Sequence, residues 1–213
     1  MIRAVISDFG GVLTSPLIES FLAYQRETGI ALEDMGAAMG RLMEADGGRH
    51  PLFELEKGNI SEEEFTRRLG AELGREVDTM RDTYFAHLHP NEPMIEYLRA
   101  VKGDGMRLAL LTNNVREWEP LWRAKLPDVE ELFEVIVDSG FVGMRKPEPE
   151  IYELTLDRLR KRDGLDGIGP GDCVFVDDVE VNCGAARALG MRAVRFQSNE
   201  QASAEIETIL GGS

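Results

Sequence analysis

Cysteine and histidine are scarce in this chain, with 2 and 3 residues respectively among 213. Cys173 and Cys183 stand ten positions apart with no cysteine or histidine close by. That spacing excludes a disulfide framework and a paired-cysteine metal knuckle, and leaves two reduced, buried thiols as the expectation. Long apolar runs are also missing. The stretch from Met1 to Ser7 breaks at Asp8, too early for a secretory signal, and no stretch approaches the ~20 apolar residues that span a bilayer. A cytoplasmic protein without a membrane partner is therefore expected. Positive charge is the third deficit: 24 Lys+Arg face 39 Asp+Glu, for a net charge of −15. Such a field repels nucleic-acid and lipid phosphates, so no nucleic-acid partner is expected either. Low-complexity segments and internal repeats are lacking as well, which sets aside solenoids and disordered arrays.

What is present is apolar residues in short blocks. With 43% hydrophobic residues in 213, the chain suits one large α/β domain or a core carrying an inserted module. Continuous apolar runs at Ala4 to Phe9, Leu108 to Leu111, Val135 to Val137, Cys173 to Val176 and Ala193 to Phe196 read as strands of a parallel sheet covered on both faces. Helical patterns separate the later runs: Met94 to Val101, Pro147 to Leu159, and Glu180 to Leu189 stopped by Gly190. The spacing between Ser15 and His89 gives no strand, only helical segments. Two start signals mark them, Ser15 before Pro16 and the capping-box spacing at Ser61-Glu62-Glu63-Glu64. Turn chemistry at Thr14-Ser15-Pro16 and at His89-Pro90-Asn91-Glu92-Pro93 bounds this segment and marks candidate hinges. The expected division is a doubly wound α/β core, residues 1–15 and 90–213, interrupted by a helical module, residues 16–89.

Ligands of open parallel sheets gather beyond the carboxyl ends of the strands. The first strand ends at Asp8, before Phe9-Gly10-Gly11; the second at Thr112-Asn113-Asn114; the fourth at Asp177-Asp178; and Lys146 stands between them in Arg145-Lys146-Pro147. A carboxylate attacks phosphorus, hydroxyl and amide groups hold a phosphoryl group, an ammonium neutralises it and further carboxylates hold Mg²⁺. Each feature alone is an ordinary cap, turn or surface loop. Four of them in order at sheet-edge positions are not.

These four motifs, Ser-Asp8-Phe-Gly-Gly-Val-Leu, Leu-Leu-Thr112-Asn-Asn, Gly-Met-Arg-Lys146-Pro-Glu and Val-Phe-Val-Asp177-Asp178 with Asn182 following, resemble the haloacid dehalogenase superfamily of phosphohydrolases from Ile2 to roughly Phe196. Within it, the chain looks most like the subgroup related to the phosphatase-like N-terminal domain of bifunctional epoxide hydrolases and to sugar-phosphate phosphatases. The resemblance implies a Rossmann-like core with an inserted helical cap, and Mg²⁺-dependent hydrolysis of a small phosphorylated metabolite such as a sugar phosphate. It implies that Asp8 is the nucleophile forming an aspartyl-phosphate, that Thr112 and the Asn113 amide bind phosphate oxygens, and that Lys146 pairs with the phosphoryl group and Asp8. Asp8, Asp178 and the Gly10 carbonyl would ligate the metal, with Asp177 and Asn182 behind them.

Gly10 departs from the pattern, because phosphatases of the superfamily usually carry a second aspartate there as general acid and base. Three readings follow: a phosphatase for good leaving groups or with a borrowed acid, a catalytically weak phosphate-binding or regulatory protein, or a haloacid dehalogenase. The surviving carboxylates and Lys146 favour the first. In the helical module, Met35, Met39 and Met43 share a helical face and read as packing, as do Trp118 and Trp122 after the second strand; neither stripe gives an oligomeric state. Arg49, His50, Glu54 and Glu56 read as solvent-facing.

Overall fold

The computed structural model describes residues 1–77 and 79–212. β1 (Ala4–Ser7) opens the chain, followed by α1 (Leu17–Thr28), α2 (Leu32–Ala45), α3 (Pro51–Glu56), α4 (Glu62–Leu73), α5 (Met80–Ala86) and α6 (Glu92–Gly103). β2 (Arg107–Thr112), α7 (Glu119–Lys125), α8 (Val129–Leu132), β3 (Val135–Asp138), α9 (Ser139–Val142) and α10 (Pro149–Arg160) come next. β4 (Cys173–Asp177), α11 (Glu180–Ala188), β5 (Arg192–Arg195) and α12 (Asn199–Gly211) complete the order.

The five strands form one parallel sheet in the order β3-β2-β1-β4-β5. The expected strands are all present, and the α/β doubly wound class holds. Alternate residues explain the two covered faces. Val5, Leu108, Leu110, Val174 and Val176 join a cluster with α6, α7 and the helices between β1 and α6, whereas Ile6, Ala109, Leu111, Val137 and Phe175 pack on α10 and α11. A continuous apolar run is what a strand buried on both sides requires. Cys173 and Cys183 are free and buried in the second cluster.

Ser61 caps α4, its hydroxyl accepting from the Glu64 N–H at 3.2 Å. Ser15 does not cap α1. Pro16 holds the position before the helix and makes no side-chain cap, while the Ser15 hydroxyl accepts from the His89 N–H at 3.2 Å. The reason is pairing between the two linkers: Ser15 N–H donates to the His89 carbonyl at 2.7 Å, Asn91 N–H to the Leu13 carbonyl at 2.9 Å, and Thr14 bridges Pro90 antiparallel. The chain thus leaves and re-enters the sheet region through neighbouring, hydrogen-bonded segments. Among the described residues no helix is long and apolar enough to cross a membrane.

Candidate active site

The carboxyl ends of β1, β2 and β4 lie side by side because these strands are adjacent in the sheet, and this brings together residues far apart in sequence. Asp8 follows β1 directly. Its Oδ1 lies 2.7 Å from the Lys146 Nζ and accepts the Phe9 N–H at 2.7 Å. Lys146 is 1% exposed and also reaches Asp177 Oδ2 at 2.7 Å. Burial alone would push the ammonium down, yet the carboxylates of Asp177 and Asp8 outweigh it and hold its pKa above that of an ordinary lysine. Its main chain is fixed by Asn113, whose Oδ1 accepts the Lys146 N–H at 2.8 Å and whose Nδ2 donates to the Lys146 carbonyl at 3.0 Å.

Asp177 is fully engaged. Its Oδ1 accepts from Val179 N–H at 2.9 Å and from Asn182 Nδ2 at 3.0 Å, and its Oδ2 accepts from Asn182 Nδ2 at 3.1 Å besides Lys146. Asn182 in α11 therefore serves Asp177. Asp178 lies over Gly11, whose backbone is left-handed with φ +74; a Cβ there would meet Asp178 Oδ2 at 2.4 Å. Here both the conformation and the close approach demand glycine.

Ligand oxygens of Asp8, Asp177 and Asp178 all lie within 4.8 Å of one another. With all three carboxyls ionised, three negative charges face one ammonium, and one divalent cation cancels the excess. Burial pushes the Asp8 carboxyl well up, opposed by Lys146 and reinforced by Asp177 and Asp178; Asp178 rises for the same reasons, burial first and then Asp177. This arrangement of hard oxygen donors with uncompensated charge fits a bound metal. Open donors face the same edge. The buried Thr112 hydroxyl and the Asn113 main-chain N–H make no hydrogen bond with any described residue.

Gly10 lies one residue beyond Phe9, and a Cβ on it would sit 3.0 Å and 3.2 Å from the two δ-carbons of Leu17. Leu17 is part of a cavity of about 430 Å³ between the helices preceding α6 and the loop after β2. Met35 and Met39 line it, as does Trp118, whose Nε1 donates to Glu62 at 2.9 Å; Met43 does not. Trp122 lies deeper, fully buried, 5.4 Å from Phe9 between ring centroids, and donates to Asp138 at 3.1 Å.

Glu56 corrects the expectation that it faces solvent. It lines the cavity and pairs with Arg145 at 2.7 Å, and Arg145 in turn lies 3.8 Å over the ring of Phe53. Burial pushes the Glu56 carboxyl up against the pull of Arg145. Tyr84, also in the wall, has its hydroxyl pushed up by burial and by the charges of Asp8, Glu56 and Asp178. No local pattern marks either residue, since their partners come from distant parts of the chain.

The haloacid dehalogenase-like hydrolase family matches residues 2–190. The chain belongs to this family. Rat bifunctional epoxide hydrolase 2 is 25% identical over 99% of this chain and 39% of its own length. The sesquiterpene phosphatase of Aspergillus oryzae is 26% identical over 98% and 97% of the two chains. The D-ribitol-5-phosphate phosphatase of Bacteroides thetaiotaomicron is 26% identical over 99% of each. The chain spans well under half the length of some curated relatives that it matches. A crystal structure of a haloacid dehalogenase-family enzyme from B. thetaiotaomicron, in complex with magnesium and inorganic phosphate, superposes with TM-score 0.65 at 23% identity over 92% and 95% of the chains. The resemblance to the epoxide hydrolase and sugar-phosphate phosphatase subgroup holds at the level of sequence similarity.

Proposed function

We propose that this hydrolase cleaves phosphomonoesters with Mg²⁺ through an aspartyl-phosphate on Asp8. The observation that carries the reading is one sheet edge holding the Asp8–Lys146–Asp177 chain, Asp178 beside it, and the open donors of Thr112 and Asn113. Asp8 and Asp178 would hold Mg²⁺ with the Gly10 carbonyl, since Asp177 spends its oxygens on Lys146, Asn182 and Val179. The bound cation supplies charge neutralisation at the phosphoryl oxygens. The relatives acting on sesquiterpene and ribitol phosphates, and the magnesium and phosphate in the superposed enzyme, support the same chemistry.

In this reading Thr112 and the Asn113 N–H bind phosphoryl oxygens and Lys146 balances their charge while holding Asp8 in line. An Asp8 oxygen forms a bond to phosphorus as the ester P–O bond breaks. The electron pair departs with the alcohol oxygen, which takes a proton from water because Gly10 has none to give. Water then attacks the phosphoryl group, releasing phosphate and restoring the Asp8 carboxylate. Residues 1–15 and 90–213 act as the core and residues 16–89 as a cap that excludes water, a division supported by the paired linkers.

The filling of the Gly10 position by Leu17 favours a second reading, a phosphate-binding protein with very slow turnover. One assay separates the two. Purified protein with Mg²⁺ should release phosphate from an aryl phosphate, and Asp8→Asn should lose on the order of 10³-fold or more; equal release by both proteins rejects the nucleophile.

A further inference from the structure

The relatives act on esters as unlike as a terpenoid and a polyol, so the substrate must be read from the cavity. Its walls are apolar: Leu17 and Phe21 from α1, Met35 and Met39 from α2, Phe65 from α4, and Trp118. Most of the polar side chains among them are already engaged. Glu56 is held by Arg145 at 2.7 Å, and Glu62 by Trp118 Nε1 at 2.9 Å and Arg81 at 3.0 Å. The Thr66 hydroxyl donates to main-chain carbonyls of its own helix. Asn113 is spent on the Lys146 main chain, and the Asn114 Oδ1 accepts the Val115 N–H. The Tyr84 hydroxyl, the Asn114 Nδ2 and the Asn113 main-chain N–H make no hydrogen bond with a described residue.

The cavity also adjoins the reacting group. Asn113 and Asn114 follow Thr112 directly, and Leu17 comes within 3.0 Å of the Cβ position of Gly10, two residues from Asp8. An ester group attached to a phosphoryl on Asp8 therefore has this apolar space beside it. A sugar placed among these apolar walls would bury hydroxyls beyond the few that these donors can pair, each an unfavourable exchange for its hydrogen bonds to water. An alkyl chain loses nothing and gains about fourfold in affinity per methylene removed from water.

We propose that the substrate is the phosphomonoester of an aliphatic alcohol, its apolar chain filling the cavity between α1, α2, α4 and Trp118. At roughly 30 Å³ for each small group at liquid density, the cavity of about 430 Å³ accommodates a chain on the order of ten to fifteen carbons. It departs from the sugar phosphate given as an example in the sequence analysis, and it rests on the phosphomonoesterase reading of the same site.

The test is a series of n-alkyl phosphates from ethyl to dodecyl, below their micelle concentrations, with Mg²⁺ and the full chain, beside glucose 6-phosphate and an aryl phosphate. The expected result is a kcat/KM that climbs about fourfold per methylene before levelling off, with octyl phosphate at least 100-fold above glucose 6-phosphate. A flat series, or a sugar phosphate that exceeds octyl phosphate, overturns the proposal while leaving the phosphatase intact. Should even the aryl phosphate resist cleavage, the enzymatic reading falls, and binding of n-alkyl phosphonates read by tryptophan fluorescence then decides. A Kd that tightens with chain length upholds the apolar site and a constant Kd rejects it. Met39→Asp should flatten the slope; if that variant does not fold, the milder Met39→Gln should reduce it, and an unaltered slope in a folded variant counts against the proposal.

Discussion

Leu17 fills the space that a side chain at position 10 would need. The two contacts, 3.0 Å and 3.2 Å, are with the tip of a flexible side chain rather than with backbone, so an aspartate can be admitted if Leu17 gives way. Gly10→Asp with Leu17→Ala should restore a proton donor next to the leaving oxygen. Turnover should then rise about 10- to 100-fold on alkyl phosphates, within the range of general acid–base catalysis, and far less on aryl phosphates, whose leaving groups need no proton. The leaving-group dependence of kcat reads this out. An equal gain on both substrates would assign the effect to the enlarged pocket instead.

At the scale of elements, α3 is docked to α9 through contacts that admit no extra atom. Gly58, just past α3, has φ +68, and a Cβ on it would lie 2.4 Å from the Gly140 carbonyl oxygen and 2.6 Å from Arg116 Nη2. Ser139 at the start of α9 donates to the Glu56 carbonyl at 2.6 Å, and Lys57 pairs with Glu148. Gly74, at the end of α4, has φ +67 with nothing within 4 Å, so it provides a matched control. Gly74→Ala should cost about 1 kcal/mol from backbone strain alone. Gly58→Ala should cost at least about 1 kcal/mol more in urea unfolding and should weaken substrate binding, because it pushes α3 from the core; equal costs would show that the docking is loose. The central strands were legible in the sequence because a strand buried on both faces must be apolar throughout, and the polar residues ending β1, β2 and β4 marked the site edge. The cap at Ser15 and the exposure of Glu56 were misread for one physical reason. Local signals compete with partners far along the chain, 74 positions away for His89 and 89 for Arg145, and no pattern near Ser15 or Glu56 encodes them.

On the scale of the whole molecule, the charge of −15 acts against an anionic substrate as well as in favour of a cation. Screening shrinks the reach of that field to ~8 Å at physiological ionic strength. At saturating Mg²⁺, kcat/KM for a short alkyl phosphate should therefore rise severalfold between about 10 and 150 mM monovalent salt, as long-range repulsion is screened. A fall over the same range would point to a local attractive patch instead. The bulk of the acidity is thus separate from the three aspartates of the site, which are buried or half-buried and little screened. The pairing of Thr14 with Pro90 bears on how such a molecule changes over time. Because the outgoing and returning chains already touch, lengthening the segment between them adds only a slowly growing closure entropy. An insertion in a loop of this segment that faces away from the docked contacts therefore leaves the strand ends where they are.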